Sequence, residues 1–189
     1  TEIGAVAVTR DYSERGEVNP NVRAEVAYNP DSEIIPVTRS NGITLAHSCP
    51  TGGIISGTSA IMMLDGWTWE QATLKAPAGL HINWPNMGAV RYRRYRVNEE
   101  DAAKRREETL KKLDSAFDEA RRYLVAKQAD TGSGIIKHNK DLRWEAMVPV
   151  LKKEVPVFMH AGEIRQIISA VEWANRQNVK IVIVGGYDA

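Results

Sequence analysis

The sequence predicts an α/β fold, a partial (β/α)8 barrel of the TIM type with parallel strands and flanking helices. Three observations carry that expectation. Helical and β-branched segments alternate through the second half of the chain, and short links join them. The length, 189 residues, is below the about 250 that a closed eight-stranded barrel usually needs. Residues 1–189 therefore read as one partial barrel domain whose remaining strands lie elsewhere.

Residues 1–30 are polar and broken by Asn19-Pro20 and Asn29-Pro30, so they read as an irregular arm. Asp31 or Ser32 can cap a short helix to Ser40, Gly42 follows it, and Ile43–Ser48 forms a strand. Cys49–Gly53 and Gly57–Ser59 read as a glycine-rich loop before a buried strand, Ala60–Leu64, that ends at the Asp65-Gly66 turn. Thr68 can cap a helix to Leu74, and Gly79–Asn83 is a strand confined by Pro77 and Pro85. Leu110, Leu113, Phe117, Ala120 and Leu124 recur at helical spacing, which predicts a long amphipathic helix over 99–126.

Asp130–Gly134 breaks the chain. Asp141 then starts a helix presenting Leu142, Met147, Val150 and Leu151, followed by the strand Val155–His160. A helix carrying Ile164, Ile167, Ile168, Val171 and Trp173 leads to the strand Lys180–Val184.

Composition removes several function classes. A hydrophobic share of 43% with 26% charged residues suits a packed domain and not a disordered one. Lys plus Arg number 25 against 24 for Asp plus Glu, so no global field draws the protein onto nucleic acid or anionic lipid. One cysteine, Cys49, makes no intramolecular disulfide, and four histidines are too few for a zinc-finger cluster. No run approaches the roughly 20 apolar residues of a membrane span. The start lacks an initiator methionine and the plan of a signal peptide, and the end runs from a buried strand into glycines. The expectation is an internal piece of a longer chain.

His160 is the foremost candidate for chemistry. It ends an apolar strand, where barrel side chains converge, and imidazole there can bind a divalent metal or move a proton. A hydrogen-bonded structural histidine fits the same position. His47 and Cys49 share a strand face, since alternate residues point the same way, but no third group at a recognisable spacing completes a nucleophile. His47, Gly52, Gly53 and His81 are expected to line a substrate, and His138 to decorate a loop. Gly52–Ser59 has the glycines of a phosphate loop but Thr58 where its lysine belongs, which argues against nucleotide binding. The basic patch Arg91–Arg96, with interleaved tyrosines, is the one nucleic-acid candidate, and the net charge argues against it.

Three segments together resemble the metal-dependent amidohydrolase superfamily, near its imidazolonepropionase-like bacterial branch. They are Asn29–Glu33 with Gly42–Thr44, Pro50–Gly57 with Leu64–Gly66, and Val155–Ala161 with its following helix and Lys180–Val184. The resemblance implies a barrel in which divalent ions, commonly zinc, activate water to cleave an amide or other C–N bond, with His160 as the metal ligand of the fifth strand. The sequence departs from that pattern: it has no His-x-His, carries Gly185 and Gly186 where relatives place a sixth-strand histidine, and does not match the last-strand aspartate with Asp188.

The resulting expectation is a fragment of a zinc-type hydrolase of amides, cyclic amides or dipeptides, inactive alone and with no metal necessarily bound. The expected partners are a small-molecule amide and either a second copy or the rest of the barrel, because an open sheet leaves edges exposed. No nucleic acid or membrane partner is expected. The compartment stays open between bacterial periplasm and cytoplasm. The rival is a degenerate barrel domain that binds a ligand or partner without catalysis.

Overall fold

The computed structural model describes residues 16–88, 99–129 and 139–189. The Arg91–Arg96 patch, His138 and the Asp130–Gly134 break lie outside them.

Among the described residues, five strands form one curled sheet in the order β1-β2-β3-β4-β5: Leu45–Ser48, Ile55–Met63, Thr73–Asn83, Val157–Ala161 and Ile181–Gly185. The sheet is mixed. β1 with β2 and β2 with β3 are antiparallel, while β3 with β4 and β4 with β5 are parallel. This corrects the expectation of parallel strands throughout, and link length gives the reason. A parallel return needs a crossover of a dozen residues or more, whereas short links fold back as hairpins. The stretch from Cys49 to Ile54 joins β1 to β2, and a helix of one turn, α2 (Trp69–Ala72), leads straight into β3. The helices α3 (Glu99–Ala129) and α4 (Leu142–Leu151) lie between β3 and β4, and α5 (Ile164–Gln177) between β4 and β5.

Two further expectations change. Gly57, Thr58 and Ser59 belong to β2 and not to a loop. The arm explains it: the backbone of Val22 crosses β2 there, and Thr58 donates from both N and Oγ1 to Val22 O, at 2.8 and 3.0 Å. At Gly57, φ is +133°, and a Cβ would stand 2.6 Å from Val22 O. Glycine is required by that close approach. β3 also begins six residues earlier than Gly79, at Thr73, because its first half pairs with the end of β2, Met62 opposite Thr73.

One face of the sheet holds the core. Ile55, Leu80, Ile82, Val157 and Met159 pack against Leu113 and Phe117 of α3, Met147 and Val150 of α4, and Trp173 of α5. The start of α4 is fixed by the Asp141 side chain, which accepts from Arg143 N, and that of α5 by a reciprocal Glu163–Gln166 capping box. Leu142, expected to face the core, is exposed, as are Ile164, Ile168 and Val171, while Ala170, Trp173 and Ala174 form the buried stripe of α5. A short helix, α1 (Ile34–Ser40), precedes β1, and a 3-10 turn at Ala24–Ala27 lies over β2. Among the described residues no helix is long and apolar enough to cross a membrane.

Candidate functional site

Strand alternation decides what the opposite face carries. Leu80 and Ile82 of β3 and Val157 and Met159 of β4 point to the helices, so His81, Asn83, Phe158 and His160 point away from them. Register then makes neighbours of these residues: His81 pairs with Phe158, and Asn83 with His160. On β2, Ser59 stands opposite Gly79 and shares this face, and His47 of β1 reaches it. Three of the four histidines in the sequence thus meet on the face turned from the helices.

The cluster is tightly connected. His81 Nδ1 lies 2.8 Å from His160 Nε2, and His47 Nε2 lies 2.8 Å from Ser59 Oγ. The Ser59 hydroxyl donates to Gly79 O at 3.3 Å. Its single proton is thereby used, so His47 donates from Nε2 and keeps a lone pair on Nδ1. Phe158 stacks on His81 with ring centroids 4.9 Å apart and 11° between planes, and tilts against His47 at 5.2 Å. Gly79 makes room for that ring, since a Cβ there would sit 2.1 Å from it.

Burial sets the charge state. His81 is 1% exposed, and its pKa is pushed down to about 4, first by burial and then by the neighbouring His160 and His47. Burial also lowers His160. Both rings are therefore neutral imidazoles near pH 7, the form that ligates metals. Among the described residues, His81 Nε2 is buried without a hydrogen-bond partner. A ring nitrogen of His47, Cys49 Sγ and a ring nitrogen of His81 all lie within 4.8 Å of one another, and, although Cys49 is exposed, partial burial of its thiol raises its pKa.

His47, His81 and His160 are thus gathered by the fold from three strands. His160 stands next to last in β4, at the C-terminal end of the parallel strands. Gly52 and Gly53 reach the same end: Asn83 Nδ2 donates to Gly53 O at 2.9 Å and to Ser56 Oγ at 3.1 Å. Gly53, at φ +65°, also packs on the arm, where a Cβ would stand 2.6 Å from Gly16 O. Sequence reading missed Asn83 as the tie and Cys49 as a donor beside two histidines, although the His47-x-Cys49 alternation was the available signal. A separate surface cavity lined by Tyr28, Asp31, Arg39, Asp65 and Trp67 shares no residue with the cluster.

Comparison with solved structures finds an amidohydrolase from Thermotoga maritima MSB8, with a TM-score of 0.78 and 22% identity over 95% of this chain and 46% of that one. At that identity the likeness is one of fold. The chain spans about half the length of that protein, 46%. No protein-family model matches the chain, and no curated protein matches it.

Proposed function

We propose that these residues form part of a metal-dependent hydrolase acting on C–N bonds, of the imidazolonepropionase-like kind, with His160 as a metal ligand. The observation that carries this reading is the position of His160: on the face turned from the helices, next to last in β4, with its Nε2 2.8 Å from His81 Nδ1. The shared fold with part of an amidohydrolase supports it.

The donors fit a divalent transition ion such as zinc, for burial lowers the pKa of both His81 and His160, and the neutral His160 imidazole is a metal-ligating form. When bound, such an ion supplies an activated water and a Lewis acid for the scissile carbonyl. His160 would hold it, His81 orients the His160 ring, Asn83 fastens the Gly53 loop beside them, and Phe158 stacks on the His81 ring. A small amide, cyclic amide or dipeptide is the substrate class.

One histidine does not complete a catalytic site of three protein ligands, so this reading requires further ligands, from the same chain or a partner. The exposed row Ile164, Ile168 and Val171 on α5 and the outer edges of β1 and β5 are where the polypeptide supplying them would dock. A rival, a barrel that binds without catalysis, is favoured by Gly185 and Gly186 at the end of β5, which offer no side-chain donor.

Metal content and hydrolysis of an amide panel, measured on the full gene product, test the reading. Bound metal, with hydrolysis lost in His160→Ala, is the expected result. Hydrolysis undiminished in that variant, or a metal-free protein, overturns it, and a metal-free protein that binds a small ligand supports the rival.

A further inference from the structure

We infer that His47, Cys49 and His81 form a sulfur-containing site for a zinc-class divalent ion, an alternative to a site built on His160 and not filled together with it. One ring nitrogen of each histidine and Cys49 Sγ already lie within 4.8 Å of one another. Tetrahedral zinc, with bonds of about 2.0–2.3 Å to nitrogen and sulfur, needs ligand separations of about 3.3–3.8 Å. Closing that difference takes side-chain rotation of roughly an ångström. Cys49 and His47 are exposed and stand at and just beyond the end of β1, where such rotation costs little.

The hydrogen bonds around the site point the same way. A metal-bound histidine normally donates its other ring N–H to a fixed acceptor, which sets the tautomer and orients the ring. His47 has that arrangement: Nε2 is held by Ser59 Oγ, itself anchored to Gly79 O. His81 has it too when Nδ1 donates to His160 Nε2. Its Nε2 then carries a bare lone pair, buried and without a partner among the described residues, and a buried polar atom left unpaired is costly. A metal ion satisfies it. Cys49 supplies a thiolate, whose charge offsets part of that of the ion and whose softness favours zinc-class ions over magnesium or calcium.

The two sites are distinguishable because they use one hydrogen bond in opposite directions. An ion on His160 Nδ1 requires His160 Nε2 to donate to His81, whereas an ion on His81 Nε2 requires His81 Nδ1 to donate to His160. With both rings neutral, only one of these holds at a time.

Cobalt(II) and zinc titrations of the purified, reduced protein provide the test. Cobalt is expected to bind at one equivalent with a near-ultraviolet thiolate-to-cobalt charge-transfer band, and zinc to displace it. Cys49→Ser should abolish the band, His47→Gln should weaken binding by more than about 100-fold, and His160→Gln, an outer partner here, by about 10- to 100-fold. Zinc should also protect Cys49 from iodoacetamide in the unaltered protein, a readout that needs no variant to fold. Cobalt spectra lacking the thiolate band, or zinc without effect on Cys49 alkylation, overturn the inference. Binding that survives Cys49→Ser and His47→Gln but is lost in His160→Gln overturns it too, while leaving the hydrolase reading standing.

Discussion

His81 Nδ1 and His160 Nε2 lie 2.8 Å apart across the β3–β4 pairing. Two imidazoles at that distance share one proton between the facing nitrogens, and a second positive charge there meets both burial and repulsion. His81 therefore stays neutral down to about pH 4, against an ordinary value of 6.5.

That shift makes stability depend on pH with a definite sign. Below 6.5 the unfolded chain takes up a proton on His81, but the folded chain does so only near 4, so the unfolded state binds more protons in between. Stability falls as pH falls through that window. Between pH 7 and 5, above most carboxylate titration, the metal-stripped protein should lose up to about 2 kcal/mol. Urea unfolding at a series of pH values measures it. His81→Phe should flatten the slope, and equal slopes in the two proteins would sink the assignment.

Gly79 and Phe158 make a second relationship that can be tested by substitution. A methyl group at Gly79 would lie 2.1 Å from the Phe158 ring, and that ring stacks on His81. Gly79→Ala should cost about 1–3 kcal/mol through overpacking. Phe158→Leu in the same chain should recover part of that loss, because the smaller side chain vacates the space. Additive losses in the double variant would show that the clash is relieved elsewhere.

Every helix longer than two turns is legible in the sequence, because α3, α4 and α5 carry apolar spacing and capping residues such as Asp141 that act locally. The strand β4 is legible as a short apolar run between α4 and α5, and β5 as a β-branched run after α5. The mixed sheet is less so, since direction depends on link length and on which edge accepts the next strand. Gly57 shows the limit most plainly. Read locally it signals a turn, whereas its place inside β2 follows from Val22, a residue of the arm thirty-five positions earlier in the sequence. In the candidate site, the place of His160 near the end of a strand is legible from the sequence. The meeting of His47, His81 and His160 requires three strands in register, which no local pattern encodes.

Trp173 ties α5 to α3 through packing and one polar contact. Its ring is fully buried, stands edge-on to Phe117 at 4.9 Å, and donates from Nε1 to Asp114 Oδ1 at 2.7 Å. Gln177 Nε2 donates to the same oxygen at 2.9 Å. Trp173→Ala should cost about 3–5 kcal/mol by opening a cavity. Asp114→Ala should cost about 1–3 kcal/mol, because a buried indole N–H is left without an acceptor. Trp173→Phe removes that donor, so Asp114→Ala made on top of Trp173→Phe should cost measurably less than alone. Chemical denaturation of the three variants and the double variant checks the coupling, and strict additivity would remove the hydrogen bond from the account.

Asn83 connects the histidine cluster to the loop beside it. Its backbone N donates to Ile54 O at 2.9 Å, and its side-chain Nδ2 donates to Gly53 O at 2.9 Å and to Ser56 Oγ at 3.1 Å. The backbone bond survives substitution and the side-chain bonds do not. Asn83→Ala should therefore loosen residues 49–54 without unfolding β3, at a cost of about 1 kcal/mol for the lost side-chain bonds. Amide hydrogen exchange should quicken at Gly53 and Ile54, while Leu80 and Val157, paired inside the sheet, stay protected. If exchange in 49–54 is unchanged, Asn83 does not hold the loop. If Leu80 and Val157 quicken equally, the loop and the sheet open as one unit, and the rim of the site is as rigid as its floor.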